Sequence, residues 1–240
     1  MITVHADVVG SLLRPPELLK AQAQLAAGAI SHSQFKEIED RAVDEAIALQ
    51  EEIGLEVVTD GEMRRESFQS QMTAAVSGFG EFTLDAFLWG DWHDEKEVRR
   101  KPRPRGLGVV SKLKRQRYLS GDEFIYLKSK TTRIPKITLP SPGLWANFWS
   151  AEHSKTAYPT LDSFLADIVQ ILREEVAELV RLGATYIQID APHYGLLLDP
   201  KTRAFYDRQG WSLDRWLSHG IELDNAVMEG FPGVTFGFHV

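Results

Sequence analysis

LDSFLADIVQILREEVAELVRLGATYIQID, residues 161–190, decides the fold of this chain. Its longer part carries apolar side chains on one helical face, and the following Gly183 is the residue type that most often ends a helix. In YIQID, at 186–190, apolar and polar side chains alternate, as they do in strands. The segment therefore predicts a helix over 161–182 that leads into a strand. The apolar positions that define the helical face are Phe164, Leu165, Ile168, Ile171, Leu172, Val176, Leu179 and Val180.

The same order of helix, glycine and strand occurs in the N-terminal part of the chain. Residues 34–53 have a helical apolar period, Gly54 follows, and LEVVT at 55–59 predicts the next strand. Before them, the sequence predicts a strand over 2–9 and a helix over 16–27. Repeated strand–helix–strand units indicate parallel pairing, because a parallel partner has to be reached by a crossover connection.

Further C-terminal elements complete the prediction of the fold class. A helix is predicted over 213–229, directly before the last strand. Five parallel strands are fewer than the eight that close a barrel of this kind. The predicted fold class is therefore an α/β, (β/α)8 TIM-type barrel that is incomplete, with about five of its eight strands. The predicted strands cover residues 2–9, 55–59, 135–140, 186–190 and 233–239.

The predicted domain organisation is a single truncated barrel domain over residues 1–240. A β-rich insertion over roughly 70–132 interrupts the rhythm between the second and third strands, where GFGEF at 78–82 replaces any helical period. The sequence ends on a predicted strand with no helix after it, and an uncovered parallel edge is unfavourable. We therefore expect the chain to be a truncation of a longer protein.

Charge and cysteine content narrow the function classes. The chain has 27 basic and 34 acidic residues, a net charge of −7 and no cysteine. The absence of cysteine excludes a disulfide framework and a Cys-only zinc site.

No apolar run approaches the roughly 20 residues that cross a bilayer, and the N-terminus lacks a signal-peptide pattern, so we expect a cytoplasmic protein without a membrane partner. Residues 96–117 form a basic run with ten Lys or Arg and one acid, which predicts attraction of anions. The acidic remainder opposes nucleic-acid binding, and oligomerisation stays possible.

Polar side chains follow the predicted strands at their C-terminal ends, where parallel barrels place their functional residues. Gly10 and Ser11 follow the first strand, Glu62 follows the second, Asp190 ends the fourth and His239 ends the fifth. Because these ends meet at one edge of a parallel sheet, we expect the side chains to share a site.

Each of these residues also has a structural alternative. Glu62 could bind a substrate amine, act as a base or hold a metal, or it could cap a helix or pair with Arg64 or Arg65. Ser11 could be a turn residue, and Asp190 a helix N-cap. The aromatic residues after the third strand are core or lid positions, or a surface that stacks on a planar ring: Trp145, Phe148 and Trp149.

Five motifs in one order resemble the catalytic domain of cobalamin-independent methionine synthase, and most of all its short, methionine-synthase-II-like relatives. The resemblance covers nearly the whole chain. It implies a (β/α)8 barrel and a 5-methyltetrahydropteroyltriglutamate–homocysteine S-methyltransferase, which moves a methyl group from a methylated folate to a zinc-bound thiolate. The motifs are ADVVGSLLRP (6–15), VVTDGEMRRESF (57–68), KITLPSP (136–142), IQIDAP (187–192) and TFGFHV (235–240).

The resemblance also implies roles for single residues. Val9, Gly10 and Ser11 are similar to the contacts of the amino-acid carboxylate. Glu62 and Asp190 are similar to the carboxylates that hold its ammonium group. The two remaining positions are Trp145, which matches a tryptophan near the pterin, and His239, which matches a zinc ligand.

The implied zinc site is incomplete in this sequence. His239 is followed only by Val240, and the Cys, Glu and Cys ligands that the family carries further on are not in it. We therefore expect these 240 residues alone to bind zinc weakly and to be inactive. The basic run 96–117 suits the acidic polyglutamyl tail of a methylated folate.

Two departures from the family pattern leave alternatives open. Ala191 stands where methionine synthases have Glu, and Val8 stands where many short relatives have His. One alternative is alkyl transfer to another thiol, such as coenzyme M. The other is a non-catalytic protein that binds an amino acid or a thiol.

Overall fold

A four-stranded parallel sheet forms the centre of the fold. The computed structural model describes residues 6–81 and 107–240. Strands are numbered in chain order, and the two that lie outside this sheet, β2 (Val76–Glu81) and β3 (Leu107–Arg115), form a separate hairpin. The parallel sheet confirms the predicted α/β class and three of the five predicted strands closely. In spatial order, its members are β1 (Val57–Val58), β4 (Ile134–Pro140), β5 (Tyr186–Asp190) and β6 (Thr235–His239).

Helices connect the strands and cover the sheet. The helix predicted over 161–182 is present over those residues, and it begins at a capping box between Thr160 and Ser163. It ends at Gly183, whose φ of 99° lies in the left-handed region that favours glycine. The α-helices of the described residues are α1 (Pro16–Ala26), α2 (His32–Glu52), α3 (Ser70–Ala75), α4 (Gly121–Lys130), α5 (Leu161–Leu182), α6 (His193–Leu196), α7 (Pro200–Asp207), α8 (Leu213–Arg215) and α9 (Ile221–Met228).

Several helical segments differ from the prediction. The helix predicted over 213–229 is α8 and α9 joined by a π-helical turn, Trp216–Gly220. A 3-10 helix follows β4 over Pro142–Phe148. The helices α4, α6 and α7 were not predicted, because their short apolar patterns are weak beside those of α2 and α5. In the described parts of the chain, no helix combines the length and the apolar character needed to cross a bilayer.

The strands of the sheet have one apolar face and one polar face. Ile137 and Leu139 of β4, and Ile187 and Ile189 of β5, belong to the main hydrophobic core, to which α5 and α9 also contribute. The alternate residues of the same strands point the other way, because successive side chains of a strand lie on opposite faces. These residues are polar and nevertheless buried: Lys136, Thr138, Gln188 and Asp190.

The strand predicted over 2–9 is wrong for residues 6–9, and residues 1–5 lie outside the described part of the chain. Residues 6–9 have no strand pairing. Two of their carbonyl groups instead accept hydrogen bonds from side chains of the polar sheet face, at Val8 and Val9. Side-chain donors thus take the place of a neighbouring strand. The described residues therefore contain four parallel strands, in an open sheet, where we predicted five.

An antiparallel hairpin lies between β1 and β4 in the sequence. Its strands are β2 (Val76–Glu81) and β3 (Leu107–Arg115), with an irregularity between Ser77 and Phe79. Gly78, at φ 119°, lies at this irregularity, and a Cβ atom there would come within 3.0 Å of two carbonyl oxygens. The hairpin occupies the sequence interval where we predicted a β-rich insertion.

Only part of the basic run 96–117 can be described. Lys96, Arg99, Arg100, Lys101, Arg103 and Arg105 lie outside the described residues. Of the remainder, Lys112 lies 3.6 Å from Asp167, and Arg115 lies 2.7 Å from Glu174, both acids of α5. These two cations therefore fasten the hairpin to the long helix.

The apolar face predicts where stability is concentrated. Leu172 is fully buried in α5, so Leu172→Ala should lower the free energy of unfolding by about 2–5 kcal/mol through lost burial and a residual cavity. Leu198→Ala is the control, because Leu198 is 82% exposed and its truncation should cost less than about 0.5 kcal/mol. Urea unfolding followed by far-UV circular dichroism measures both values. Equal losses for the two variants would contradict the packing described.

Candidate functional site

Polar residues converge at the C-terminal edge of the sheet. Strand register places Pro140, Asp190 and His239 side by side at this edge. Asp190 Oδ1 lies 3.2 Å from His239 Nδ1, so the ends of β5 and β6 bring these two predicted site residues into contact. The Asp190 carboxylate is buried, whereas the His239 side chain is 41% exposed.

Glu62 enters the same region from a tight turn after β1. Gly61 and Glu62 both have left-handed backbone conformations, at φ 67° and 53°. Such a φ is uncommon for a residue other than glycine. The turn is closed by Asp60, whose Oδ1 accepts a hydrogen bond of 2.8 Å from the Glu62 backbone N–H. It directs the Glu62 carboxylate into the buried interior of the fold.

Three donors hold the Glu62 carboxylate. Thr138 Oγ1 donates to Oε1 at 2.6 Å, Ser11 Oγ donates to Oε2, and Arg65 Nη1 lies 3.3 Å from Oε1. A Cβ atom at Gly10 would come within 2.8 Å of Glu62 Oε1, so a glycine is required there for the close approach. Among the alternatives for Glu62, the structure shows an ion pair with Arg65.

Arg64 points away from this cluster. Its guanidinium lies 2.6 Å from Glu39 and 2.5 Å from Asp40, two acids of α2. The neighbouring Arg65 is buried and lies 2.8 Å from Glu123 of α4 as well as near Glu62. The two consecutive arginines therefore serve different parts of the fold: Arg64 pairs with α2, and Arg65 lies in the site.

Acids outnumber cations in the buried cluster around Arg65. Asp60, Glu62 and Glu123 all surround this single guanidinium. Burial, together with the neighbouring Glu123 carboxylate, raises the pKa of Asp60 from 3.8 to about 7. Within the described residues, Asp60 Oδ2 has no hydrogen-bond partner. The cluster is therefore short of positive charge at neutral pH.

The segment of residues 9–12 lies between Glu62 and Asp190. Gln188 Nε2 donates to the Val9 carbonyl at 2.7 Å and to Asp190 Oδ1 at 2.7 Å. At the other end, Ser11 binds Glu62, and the Leu12 N–H donates to the Gly61 carbonyl. The Val9 side chain and Ser11 are exposed. The structure thus brings together Val9, Gly10, Ser11, Glu62, Asp190 and His239, of which Gly10, Glu62 and Asp190 are buried.

The Asp190 carboxyl is shifted toward its protonated form. Burial is the main cause that raises its pKa, and the Glu62 carboxylate adds to the effect. Hydrogen bonds from Gln188 and His239 act in the opposite direction. Glu62 and Asp190 are therefore close enough to influence one another electrostatically.

Trp145 lies in a different environment from the other predicted site residues. It is fully buried, and its ring packs 4.7 Å from Phe148 and 5.9 Å from Phe79, measured between centroids. The Trp145 indole N–H is among the buried groups of the described residues that have no hydrogen-bond partner. Its contacts are aromatic, whereas Glu62 and Asp190 contact polar groups.

Other strand-end residues form a second polar cluster beside the site. Asp224 of α9 accepts hydrogen bonds from Ser141 Oγ and from the Tyr194 hydroxyl. Next to it, burial lowers the pKa of His193 to about 3, so this ring is neutral. The His193 ring packs against Trp216, with 5.3 Å between centroids. This cluster joins the ends of β4 and β5 to α9.

Four residues that complete the site were not predicted from the sequence as site residues. Lys136, Thr138 and Gln188 alternate with apolar residues in β4 and β5, and this alternation was the signal that could have identified them. Arg65 stands three residues after Glu62 in the motif, but sequence alone could not distinguish it from Arg64.

The described residues do not fit a zinc site. In residues 6–81 and 107–240, no three His, Cys, Asp or Glu side chains form a group that could hold a metal ion. A protein zinc site normally has three or four protein ligands, and His239 is the only one of the predicted set present here. The His239 Nδ1 atom is engaged by Asp190, which leaves Nε2 as the ring nitrogen that a metal could take, and a single such ligand does not make a site.

Comparison with known proteins finds both a family model and individual relatives that match this chain. The family model described as "Cobalamin-independent synthase, Catalytic domain" matches residues 2–227. The chain is 31% identical over 187 residues to a protein of Pyrococcus abyssi named methionine synthase, covering 78% of this chain and 51% of that protein. The chain thus spans about half the length of the curated relatives it matches.

Two solved structures share the fold. A candidate vitamin-B12-independent methionine synthase from Listeria monocytogenes matches with a TM-score of 0.72 at 18% identity, covering 98% of this chain and 64% of its own. A B12-independent methionine synthase from Shewanella, in complex with selenomethionine, matches with a TM-score of 0.67 at 19% identity, covering 88% of this chain and 54% of its own. At these identities the similarity shows the fold alone.

The raised pKa of Asp60 predicts a pH-dependent stability. The unfolded carboxyl loses its proton near pH 3.9, whereas the folded one keeps it to about pH 7. Folding therefore takes up a proton between these values, the free energy of unfolding falls as pH rises, and the penalty is complete above pH 7. Asp60→Asn keeps the acceptor for the Glu62 N–H but cannot ionise. We expect it to exceed the wild-type stability at pH 8 and to equal it near pH 4, in urea unfolding.

A surface variant controls for the general effect of removing an acid. Asp207 is exposed at the end of α7, and Asp207→Asn should follow the wild-type stability at every pH. If Asp60→Asn showed the same small difference from wild type at pH 4 and pH 8, the pKa of Asp60 would be the same in the folded and the unfolded protein, which would contradict the effect of burial.

Proposed function

Since this chain belongs to the family of the cobalamin-independent synthase catalytic domain, we propose that it forms the amino-acid-binding part of a methyltransferase that makes methionine. The proposed acceptor is the thiol of homocysteine, and the proposed donor is a methylated folate with a polyglutamyl tail. The observation that carries this proposal is the pair of buried carboxylates, Glu62 and Asp190, connected to opposite ends of the segment of residues 9–11.

The acid excess at the sheet edge favours a cationic ligand. Glu62 raises the pKa of Asp190, which means that the two negative charges repel one another. Arg65 faces Glu62 and Glu123, and within residues 6–81 and 107–240 the cation paired with Asp190 is the half-exposed His239. The ammonium group of an amino acid, placed between the two carboxylates, would offset this repulsion with charge-assisted hydrogen bonds.

The segment of residues 9–11 suits the carboxylate of the same amino acid. Gly10 has no side chain, so its backbone can approach a ligand closely. The exposed Ser11 hydroxyl donates to Glu62 and can rotate to a ligand carboxylate while the incoming ammonium takes its place on Glu62. We therefore assign Val9, Gly10 and Ser11 to the carboxylate, and Glu62 and Asp190 to the ammonium.

Related proteins support an amino acid as the ligand. The Pyrococcus abyssi relative is named methionine synthase, and the Shewanella structure contains selenomethionine, the selenium analogue of methionine. We transfer this ligand class to the present chain because Glu62 and Asp190 supply the charges that bind the α-ammonium of any such amino acid.

The open sheet is proposed to be part of a (β/α)8 barrel. The strand order β1-β4-β5-β6, with helices packed on the apolar face, supports this proposal, and the polar face would then lie inside the barrel. In this proposal residues 1–240 belong to one barrel domain, and roughly 70–132 form its insertion. The match covers 64% of the Listeria chain, and the further strands of a complete barrel would correspond to the remaining part of that chain.

The proposed reaction is a methyl transfer between a folate nitrogen and the homocysteine sulfur. The C–N bond of the donor breaks as the S–C bond forms, the thiol gives up its proton, and the departing folate nitrogen takes up one proton, so that the products are the thioether and the demethylated folate. Trp145 is proposed to lie near the pterin and the basic run 96–117 near the glutamyl tail. His239 is a candidate zinc ligand, but because the described residues do not fit a zinc site, the role proposed for this chain is amino-acid binding, which needs no metal.

The same observation supports a second candidate, a non-catalytic amino-acid-binding protein. It differs from the first in turnover, which only the methyltransferase would show with methylated folate and homocysteine. A thiol such as coenzyme M fits the site less well. Its sulfonate is an anion without an ammonium partner, and the Glu62 and Asp190 carboxylates would repel it.

Replacing Glu62 tests the amino-acid site. Glu62→Gln removes one negative charge and weakens the bond to the ligand ammonium, so we expect the dissociation constant of L-homocysteine to rise about 10- to 100-fold. Isothermal titration calorimetry of the purified protein with L-homocysteine and L-methionine measures it. Thermal unfolding accompanies the titration, because Glu62 also pairs with the buried Arg65.

Glu152→Gln is the control for charge removal at a distance. The Glu152 side chain is 83% exposed, and its loss should leave the dissociation constant unchanged. Equal affinities of Glu62→Gln and wild type for L-homocysteine would remove Glu62 from the site. No binding of either amino acid to the wild type would refute the proposed function.

A further inference from the structure

Both N–H groups and the oxygen of the Gln188 side-chain amide form hydrogen bonds within the fold. Its two N–H groups donate to the Val9 carbonyl and to Asp190 Oδ1, both at 2.7 Å. Its Oε1 accepts from Lys136 Nζ, also at 2.7 Å. A flipped amide would turn its NH2 group toward the Lys136 ammonium and its oxygen toward two acceptors, so the orientation is fixed.

Lys136 is saturated in the same way. Its three N–H donors have three acceptors: Gln188 Oε1, the Val8 carbonyl, and Asp7 Oδ2 at 2.8 Å. The Lys136 side chain is fully buried, which is rare for a lysine unless it is paired. Lys136 and Gln188 together therefore bind three consecutive residues, 7–9, from the polar face of the sheet.

We propose that Gln188 and Lys136 are positioning residues that fasten the segment of residues 7–11 to the sheet edge and hold it at a fixed distance from Asp190. Residues 6–9 have no strand partner, so these side chains supply the bonds that a neighbouring strand would supply. Gln188 touches both Val9 and Asp190, and it is the direct link between the segment and the carboxylate. This inference rests on the proposed function, in which the segment binds the ligand carboxylate and Asp190 binds its ammonium.

The fixed distance matters because both charged groups of an amino acid sit on one carbon atom. A ligand that engages the segment and Asp190 at once gains both contacts only when they are held at the matching separation. Preorganisation raises affinity by removing the cost of ordering the segment on binding. A ligand with only one of the two groups can follow a displaced segment or a displaced Asp190, and it gains little from the link.

Gln188→Met tests the link, since methionine has a similar length and volume but no amide. The ligands are L-homocysteine, 3-mercaptopropylamine, which lacks the carboxylate, and 4-mercaptobutanoate, which lacks the ammonium. Calorimetry on the purified protein should show a dissociation constant for homocysteine that rises at least about tenfold, with rises of less than about threefold for the two truncated thiols. An equal factor for all three ligands would mean that Gln188 has a general structural role and would overturn the proposal.

Asn147→Leu is the matched control. Asn147 is another buried amide, whose Oδ1 accepts a hydrogen bond of 2.8 Å from the Tyr206 hydroxyl, and among the described residues no side-chain hydrogen bond joins it to the segment or to Asp190. Its replacement by an apolar side chain of similar shape should affect the three ligands equally. If Gln188→Met does not fold, Gln188→Glu replaces it, because a glutamate keeps an acceptor for Lys136 and loses both N–H donors.

Hydrogen exchange separates failure of this inference from failure of the proposed function. Without any ligand, the Leu12 amide, which donates to the Gly61 carbonyl, should exchange at least about tenfold faster in Gln188→Met than in wild type. Amides of the hairpin strand β2 should keep their rates. Unchanged exchange at Leu12 would overturn the positioning role even if homocysteine binds. Faster exchange without homocysteine binding to the wild type would keep the positioning role and refute the function.

Discussion

Burial of polar side chains on one face of a parallel sheet is the constraint on which the rest of this structure depends. A buried charge or amide without a partner costs several kcal/mol, so each polar residue of β4 and β5 must find its partner inside the fold. Lys136 and Thr138 satisfy this demand on β4, and Gln188 and Asp190 satisfy it on β5. The partners of Lys136, Thr138 and Gln188 include the turn after β1 and the segment of residues 7–11, whereas Asp190 pairs with Gln188 and with His239 of β6. These are the parts of the chain that form the proposed site.

The opposite face of the same strands provides the stability that this polar face does not. Ile137, Leu139, Ile187 and Ile189 pack into a core shared with α5 and α9, and burial of such side chains contributes about 1.5–3 kcal/mol each. Buried ion pairs, by comparison, are often close to neutral for stability. The cluster around Arg65 therefore fits a role in positioning Glu62 better than a role in holding the fold together.

The apolar face could be predicted from sequence, and much of the polar face could not. The period of residues 161–182 and the terminal Gly183 predicted α5 correctly, because one amphipathic face and one cap are local properties. The strand over 2–9 was also predicted from local composition. The conformation of its described part instead depends on hydrogen bonds from Lys136 and Gln188, which lie more than a hundred residues away in the sequence. The choice between Arg64 and Arg65 as the partner of Glu62 likewise depends on Glu39, Asp40 and Glu123, which sequence order does not bring together.

The turn after β1 shows why the candidate site occupies this edge. Glu62 adopts a left-handed backbone conformation that costs on the order of 1 kcal/mol or more, and the Asp60 carboxylate caps its N–H at 2.8 Å. Such a conformation persists where surrounding contacts determine it, and here Thr138, Arg65 and Ser11 all hold the Glu62 side chain. The result is a carboxylate fixed beside Gly10, facing Asp190 across the segment that Gln188 holds. A fold under no functional demand would gain by replacing this strained, acid-rich turn, so its presence favours a ligand that brings the missing positive charge.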